Sequence, residues 1–268
     1  MTRCLLDRDR LEELYQRYNR REFVHPDPLE FLYGWDDPLE REVVGLVASC
    51  LAYGRVAQIL RSVAGALERM GPSPRRFVLE SPREALDAAF AGFRHRFTTG
   101  EELSALLFGA GRLLARHGSL GACLASWFDG DFLAAQTGFV GELLDAAGLT
   151  RPCYLLPSPE DGSACKRLNL YLRWMVRCDE VDPGGWGGVP ASALIVPMDT
   201  HMHRISLALG LSSRRSADLS CALETTAAFR EVAPNDPVMY DFALTRLGIR
   251  AEADLPGFLC ACGVEDVA

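Results

Sequence analysis

The sequence predicts an almost entirely α-helical protein. Three observations carry that expectation: apolar residues recur at helical spacing along most of the chain, capping residues mark several helix starts, and almost nothing alternates with period two beyond a few residues. With 268 residues, 49% of them hydrophobic and 24% charged, the chain has a globular composition and enough length to bury a sizeable core.

The elements follow in order. Residues 8–20 mix charged and apolar residues at helical spacing, and His25-Pro26-Asp27-Pro28 then breaks the pattern. Asp37 before Pro38 reads as an N-cap with proline at the first helical position, opening a helix to about residue 52. Gly54 interrupts, and a second helix covers about 55–70 before Gly71-Pro72-Ser73-Pro74 ends it. Shorter helices are expected near 82–94, 100–116, 119–128 and 131–147. There is no internal repeat and no low-complexity segment.

Composition excludes several classes. No apolar run is long enough to span a membrane, and charges interrupt the N-terminal residues before a signal-type apolar stretch forms. Nine cysteines, an odd number without paired spacing, read as a reduced, cytoplasmic chain. Their spacing suits neither a zinc ribbon nor an iron–sulfur cluster. The four glycines at 184, 185, 187 and 188 follow no convincing strand and form no nucleotide loop. A net charge of -8 has the wrong sign for a simple polyanion binder. Residues 151–215 differ, with eight basic against six acidic side chains.

That segment carries most of the information. Pro157 to Gly162 is a turn-rich approach, and Ser163 is placed to cap a helix running to Arg177. Leu168, Leu172 and Met175 fall at i, i+4 and i+7 and form its core-facing stripe. Lys166, Arg173 and Arg177 lie roughly opposite, with Asn169 beside them; solvated charges on a polar face are the simplest account of that arrangement. Asp182 to Gly188 is a flexible connector carrying Trp186. Asp199 then reads as the N-cap of a helix over about 200–209, closed by Gly210. His201 and His203, two residues apart, do not share a helix face, so with Asp199 they make a poor metal triad.

Gly162-Ser163-Ala164-Cys165-Lys166-Arg167-Leu168-Asn169, followed by Val196-Pro197-Met198-Asp199-Thr200-His201-Met202-His203-Arg204, resembles the catalytic region of the helix-hairpin-helix (HhH-GPD) DNA glycosylase superfamily. The insertion containing Trp186 looks closer to the archaeal 8-oxoguanine DNA glycosylases (AGOG) than to endonuclease III. The whole chain resembles an uncharacterised bacterial family sharing this core, through Asp27 to Phe31, Leu51 to Arg55, Lys166 to Arg177, Asp199 to Arg204 and Tyr240 to Leu244. The hairpin lacks the usual glycine-valine-glycine turn, the endonuclease III cysteine cluster is absent, and the superfamily's glutamine-rich wedge is replaced near Tyr53 and Gly54.

The resemblance implies one two-lobed helical unit over residues 1–268, with a central cleft and with 151–215 supplying the hairpin-like segment, the insertion and the catalytic-aspartate helix. It implies removal of an oxidised purine such as 8-oxoguanine from damaged double-stranded DNA by a monomer without cofactor or metal, followed by strand cleavage. Lys166 would form the Schiff base and Asp199 would stabilise the sugar cation and manage its proton. Attack needs a neutral amine, whose ordinary pKa is ~10.4; Arg173 and Arg177 would help depress that value or hold phosphates. Gly162, Ser163 and Arg204 are further DNA-contact candidates, although an internal pair with Asp199 is the slightly favoured reading of Arg204. Trp186, Tyr53, Asn169 and His201 are the base-pocket candidates. Lys166 is the sole lysine among 28 basic side chains, and arginine cannot serve as a Schiff-base amine. Two other classes stay open: a catalytically silent helical nucleic-acid-binding protein, and a metal-dependent hydrolase using Asp199, His201 and His203 with help from Asp236 or Asp241.

Overall fold

Asp37 accepts the Leu39 amide and starts a central helix at Pro38, as the sequence suggests. The structure, a computed structural model, describes residues 6–249 and 254–264. The unit expected over 1–268 therefore extends at both ends, and at 250–253, outside the described residues.

The fold is all-α with one small β-hairpin. In chain order the helices are α1 (Arg8–Tyr18), α2 (Pro38–Cys50), α3 (Val56–Met70), α4 (Pro74–Glu80), α5 (Arg83–Ala89), α6 (Gly100–His117) and α7 (Leu120–Ser126). Then come α8 (Phe132–Ala147), α9 (Lys166–Val176), α10 (Thr200–Ala208), α11 (Leu219–Val232), α12 (Asp241–Ile249) and α13 (Leu255–Ala261). Short 3-10 turns fill Arg21–Phe23, Pro28–Gly34, Pro159–Asp161 and Ala191–Ala193. Side-chain oxygens cap most helices: Asp7, Ser73, Ser119, Asp131, Asp218 and Asp254 each accept a first-turn amide. Thr99 and Glu102 form a reciprocal capping box on α6.

Three local expectations are corrected. Pro74 does not merely end a helix; with Ser73 as N-cap it begins α4, because proline at the first helical position loses no bond. The helix expected to reach residue 94 stops at Ala89, and β1 (Arg94–His95) pairs antiparallel with β2 (Thr98–Thr99). Helix α9 begins at Lys166 and not after Ser163: Cys165 takes a left-handed conformation with φ 47°, and Ser163 Oγ accepts the Cys165 amide instead.

Helix α6 packs against α4, α5, α7 and α8; α2 packs against the Pro28–Gly34 turn and α9; α12 packs against α1 and α10. Glu42 to Cys50 of α2 are buried without a break, as suits a helix covered on all sides. Leu168, Leu172 and Met175 are fully buried, as the stripe on α9 predicts. Among the described residues no helix is long and apolar enough to cross a membrane. The starts of α9 and α10, the segment between α2 and α3, and α12 all border one cleft.

Candidate active site

The cleft has a volume of about 710 Å³ and takes in Lys166, Asp199, Tyr53, His201 and Asp241. Lys166 Nζ stands 4.0 Å from Asp199 Oδ2 and donates to the Ala52 carbonyl at 3.5 Å. Their side chains are 35% and 21% exposed, so both reach the solvent-filled space without lying flat on the surface. Backbone geometry fixes each partner. The left-handed turn at Cys165 delivers Lys166 as the first residue of a helix whose opposite stripe is locked in the core. Asp199 Oδ1 accepts the amides of His201 at 2.9 Å and Met202 at 2.8 Å, which holds the carboxylate rigid and leaves Oδ2 to face the amine. A primary amine and an oriented carboxylate in one cleft are equipped for nucleophilic attack with a proton acceptor and cation stabiliser alongside.

Helix α12 closes the floor. Asp241 accepts from Arg173, and Arg246 donates to Asp27 at 3.0 Å while lying 4.4 Å from the centre of the Phe242 ring. Burial pushes the Asp241 carboxyl up to about 6; Arg173 pulls it back and Asp199 adds to the push. Beneath Lys166, Arg167 donates to the carbonyls of Cys50 and Tyr154 and lies over the rings of Tyr53 and Tyr154.

Several expectations about side chains are corrected. Arg173 and Arg177 are not on a solvated face; they are 3% and 5% exposed. Arg173 pairs with Asp182 and Asp241, and Arg177 with Asp179, Asp182 and Asp236. Buried guanidinium groups matched to carboxylates are not available to phosphate, and their charge is spent on those partners. Trp186 does not line the cleft. Its indole donates to Glu42 at 2.9 Å and its ring meets Tyr171 edge to face, anchoring the glycine connector to the core. Arg41 holds the same connector through the carbonyls of Pro183 and Gly184. Asn169 is buried and donates to the Ala164 carbonyl while accepting from Gln136, a structural tie behind the hairpin segment and not a pocket contact. Arg204 is exposed and, among the described ion pairs, makes none with Asp199.

The remaining candidates divide between the cleft and the surface. Tyr53 and His201 line the cleft, as does Ser163; Gly162 is exposed with φ 70° at the end of the preceding turn. His203 turns away and bonds the Arg214 carbonyl at 2.8 Å. Asp236 and Asp241, the extra ligands a metal hydrolase would need, are bound to arginines. The residues whose ligand atoms do cluster at metal-like spacing are His117, Cys123 and Glu142, none of which lines the cleft. There Glu142 accepts from Arg116, His117, Trp127 and Cys123, so its oxygens are already engaged by protein donors.

Sequence reasoning gives no cleft role to Asp27, Arg167 or Arg246, and considers Asp241 only as a metal ligand. One signal was present for the last: Asp241 is a lone charge inside the apolar run Val238-Met239-Tyr240-Asp241-Phe242-Ala243-Leu244, a pattern that calls for a buried partner.

Fold and site together define a helical protein with a lysine–carboxylate pair set in a cleft. The chain belongs to the DUF2400 family of proteins of unknown function, whose family model matches residues 27–250. That span takes in Lys166, Asp199 and the floor of the cleft. Neither the curated proteins nor the solved structures give a match.

Proposed function

We propose that the protein is a DNA base-excision glycosylase with associated strand-cleaving lyase activity, acting on an oxidised purine such as 8-oxoguanine. The observation that supports it is the meeting of the sole lysine with an N-capping aspartate, 4.0 Å apart in a cleft of about 710 Å³. The motif likeness around both residues to the HhH-GPD glycosylases, with their two lobes and central cleft, adds to the reading.

A target base must leave the stack before its glycosidic bond can be reached. Lys166 passes a proton to Asp199 Oδ2 and the freed amine attacks C1′ of the deoxyribose; the C1′–N bond breaks, its electron pair departs with the base, and the base takes that proton from Asp199. Asp199 Oδ2 stabilises the positive sugar as the bond lengthens, then takes a proton from the new ammonium. Transfer of that proton to the ring oxygen opens the sugar and leaves a C1′ iminium on Lys166. Loss of the acidified C2′ proton expels the 3′ phosphate by β-elimination, and water finally releases the sugar fragment and regenerates the amine. Lys166 is covalent partner throughout; Asp199 handles charge and protons.

Borohydride reduces such an iminium and traps it. Incubated with DNA carrying 8-oxoguanine or an abasic site, the wild-type protein should give one adduct, mapped by peptide mass to Lys166. Lys166→Arg keeps the charge but should abolish the adduct and strand cleavage together. An adduct that survives Lys166→Arg, or no adduct from well-folded wild type on any such strand, overturns the reading; in the second case DNA binding without chemistry would leave the silent binder ahead.

A further inference from the structure

A row of aromatic rings runs from the wall of the cleft to the tip of the β-hairpin. Phe97 is 66% exposed and Tyr154 52%, the two most exposed large hydrophobic side chains among the described residues. Their rings meet edge to face at 5.7 Å, and Tyr154 meets Tyr53, a cleft residue, in the same way at 5.3 Å.

This row is held in place. The Tyr53 hydroxyl donates to the His95 carbonyl at 2.7 Å and accepts the Thr98 amide at 3.2 Å, and the His95 ring bonds the Tyr53 carbonyl and Ser62 Oγ. Arg96, beside Phe97 in the turn, takes a left-handed conformation with φ 51°, a costly shape for a side chain other than glycine. Its guanidinium lies 5.5 Å from the Phe97 ring centre and 5.9 Å from that of Tyr53. Gly54 makes room for it: a Cβ there would sit 2.7 Å from the Arg96 side chain. The hairpin thus presents Phe97 outward at a fixed place when folding alone would favour turning it inward.

Charge narrows the partner. Arg96 and Arg94 of the hairpin are exposed, as is Arg55 next to Gly54, and no ion pair among the described residues involves any of the three. Exposed rings between unneutralised guanidinium groups fit a ligand with planar faces and repeating negative charge, which is nucleic acid. A duplex hides its base faces and offers one charge per ~1.7 Å to a chain of net charge -8, whereas a single strand carries half that density and shows its bases.

We propose that the Phe97–Tyr154 row with Arg96 binds an unpaired nucleic-acid strand by stacking on its bases and leads one nucleotide toward Lys166. The destination in the cleft rests on the glycosylase reading; the stacking does not.

The test is fluorescence anisotropy of the full chain with a labelled DNA oligonucleotide of roughly 15 nucleotides, alone and annealed to its complement. The single strand should bind at least about tenfold more tightly than the duplex, and Phe97→Ala should weaken it at least about fivefold while Phe97→Tyr restores it. Replacing Arg55 and Arg94 by Gln should lower the salt slope by roughly 0.7 for each phosphate that is no longer neutralised. Equal or tighter binding of the duplex, an effect of Phe97→Ala below about twofold, or no binding by folded protein would overturn the proposal. The borohydride adduct separates the two ideas. Phe97-dependent single-strand binding with no borohydride adduct keeps the row and removes the lyase. A Lys166 adduct formed equally well by Phe97→Ala, with duplex preferred, does the reverse.

Discussion

The indole N–H of Trp186 donates to Glu42 Oε2 at 2.9 Å and thereby ties the glycine-rich connector to the central helix. Glu42 also accepts the amides of Leu120 and Gly121, so one buried carboxyl joins α2, the start of α7 and the connector. The stability of this junction depends on the ionisation of that group.

Burial pushes the Glu42 carboxyl up to about 7, with Trp186, the two amides and Arg75 countering part of the rise. An acid whose folded pKa exceeds its unfolded value, ~4.3, contributes stability below the unfolded value and loses it as pH climbs through the folded one. Thermal unfolding should therefore show the wild-type Tm falling between about pH 4 and about pH 7 and levelling above that. Glu42→Gln, uncharged throughout, should show a flatter profile; an equal slope in both proteins would contradict the assignment.

The same junction depends on the absence of a side chain at Gly121, where a Cβ would stand 2.6 Å from the Trp186 ring. Gly121→Ala should displace the indole, change the near-ultraviolet circular dichroism and cost about 1–3 kcal/mol in denaturant unfolding. An unchanged tryptophan signal would show that the ring has another place to go.

Asp182 is fully buried and contacts both Arg173 and Arg177. Arg177→Met leaves Asp182, Asp179 and Asp236 short of a cation and should cost about 3–5 kcal/mol. Exposed Arg204 provides the control, since Arg204→Met should change stability by no more than ~0.5 kcal/mol. Urea unfolding of both variants compares a buried network with a surface charge; similar losses would refute the contrast.

Asp199 has a structural task and a proposed chemical one, and these separate by substitution. Asparagine caps a helix about as well as aspartate, so Asp199→Asn should unfold within ~1 kcal/mol of wild type, whereas Asp199→Ala should lose a further ~1 kcal/mol. Single-turnover base release should instead slow by at least about a hundredfold in both variants. Excision by Asp199→Asn at the wild-type rate would remove the carboxylate from the chemistry.

The contrast between Asp199 and the two arginines shows what a sequence displays and what it hides. Asp199 begins a helix after an apolar run, and the cap follows from local backbone chemistry alone. Lys166 shows itself by composition, as the one amine in an arginine chain. Arg173 and Arg177 obey the same helical arithmetic, and their angular placement opposite the apolar stripe is right. Their surroundings are not local: Asp182 comes from the connector, Asp236 from the segment before α12, and Asp241 from α12 itself. A polar face can be buried when distant carboxylates match it, and no window along α9 contains them. The hairpin escapes notice for another reason. Each strand is two residues long, too short for alternation to register, and its defining contacts run to Tyr53 across forty-odd positions.

Having one lysine side chain also turns ordinary protein chemistry into a local instrument. Reductively alkylating reagents, which elsewhere scatter over many surface amines, have within this chain a single side-chain amine to modify, and it stands in the cleft at 35% exposure. Apart from any reaction at the chain terminus, each mass increment from such a reagent reports access to that one cavity. Protection against it would reveal an occupant of the cleft whether or not that occupant reacts, and the rate of labelling would follow the cleft's opening directly.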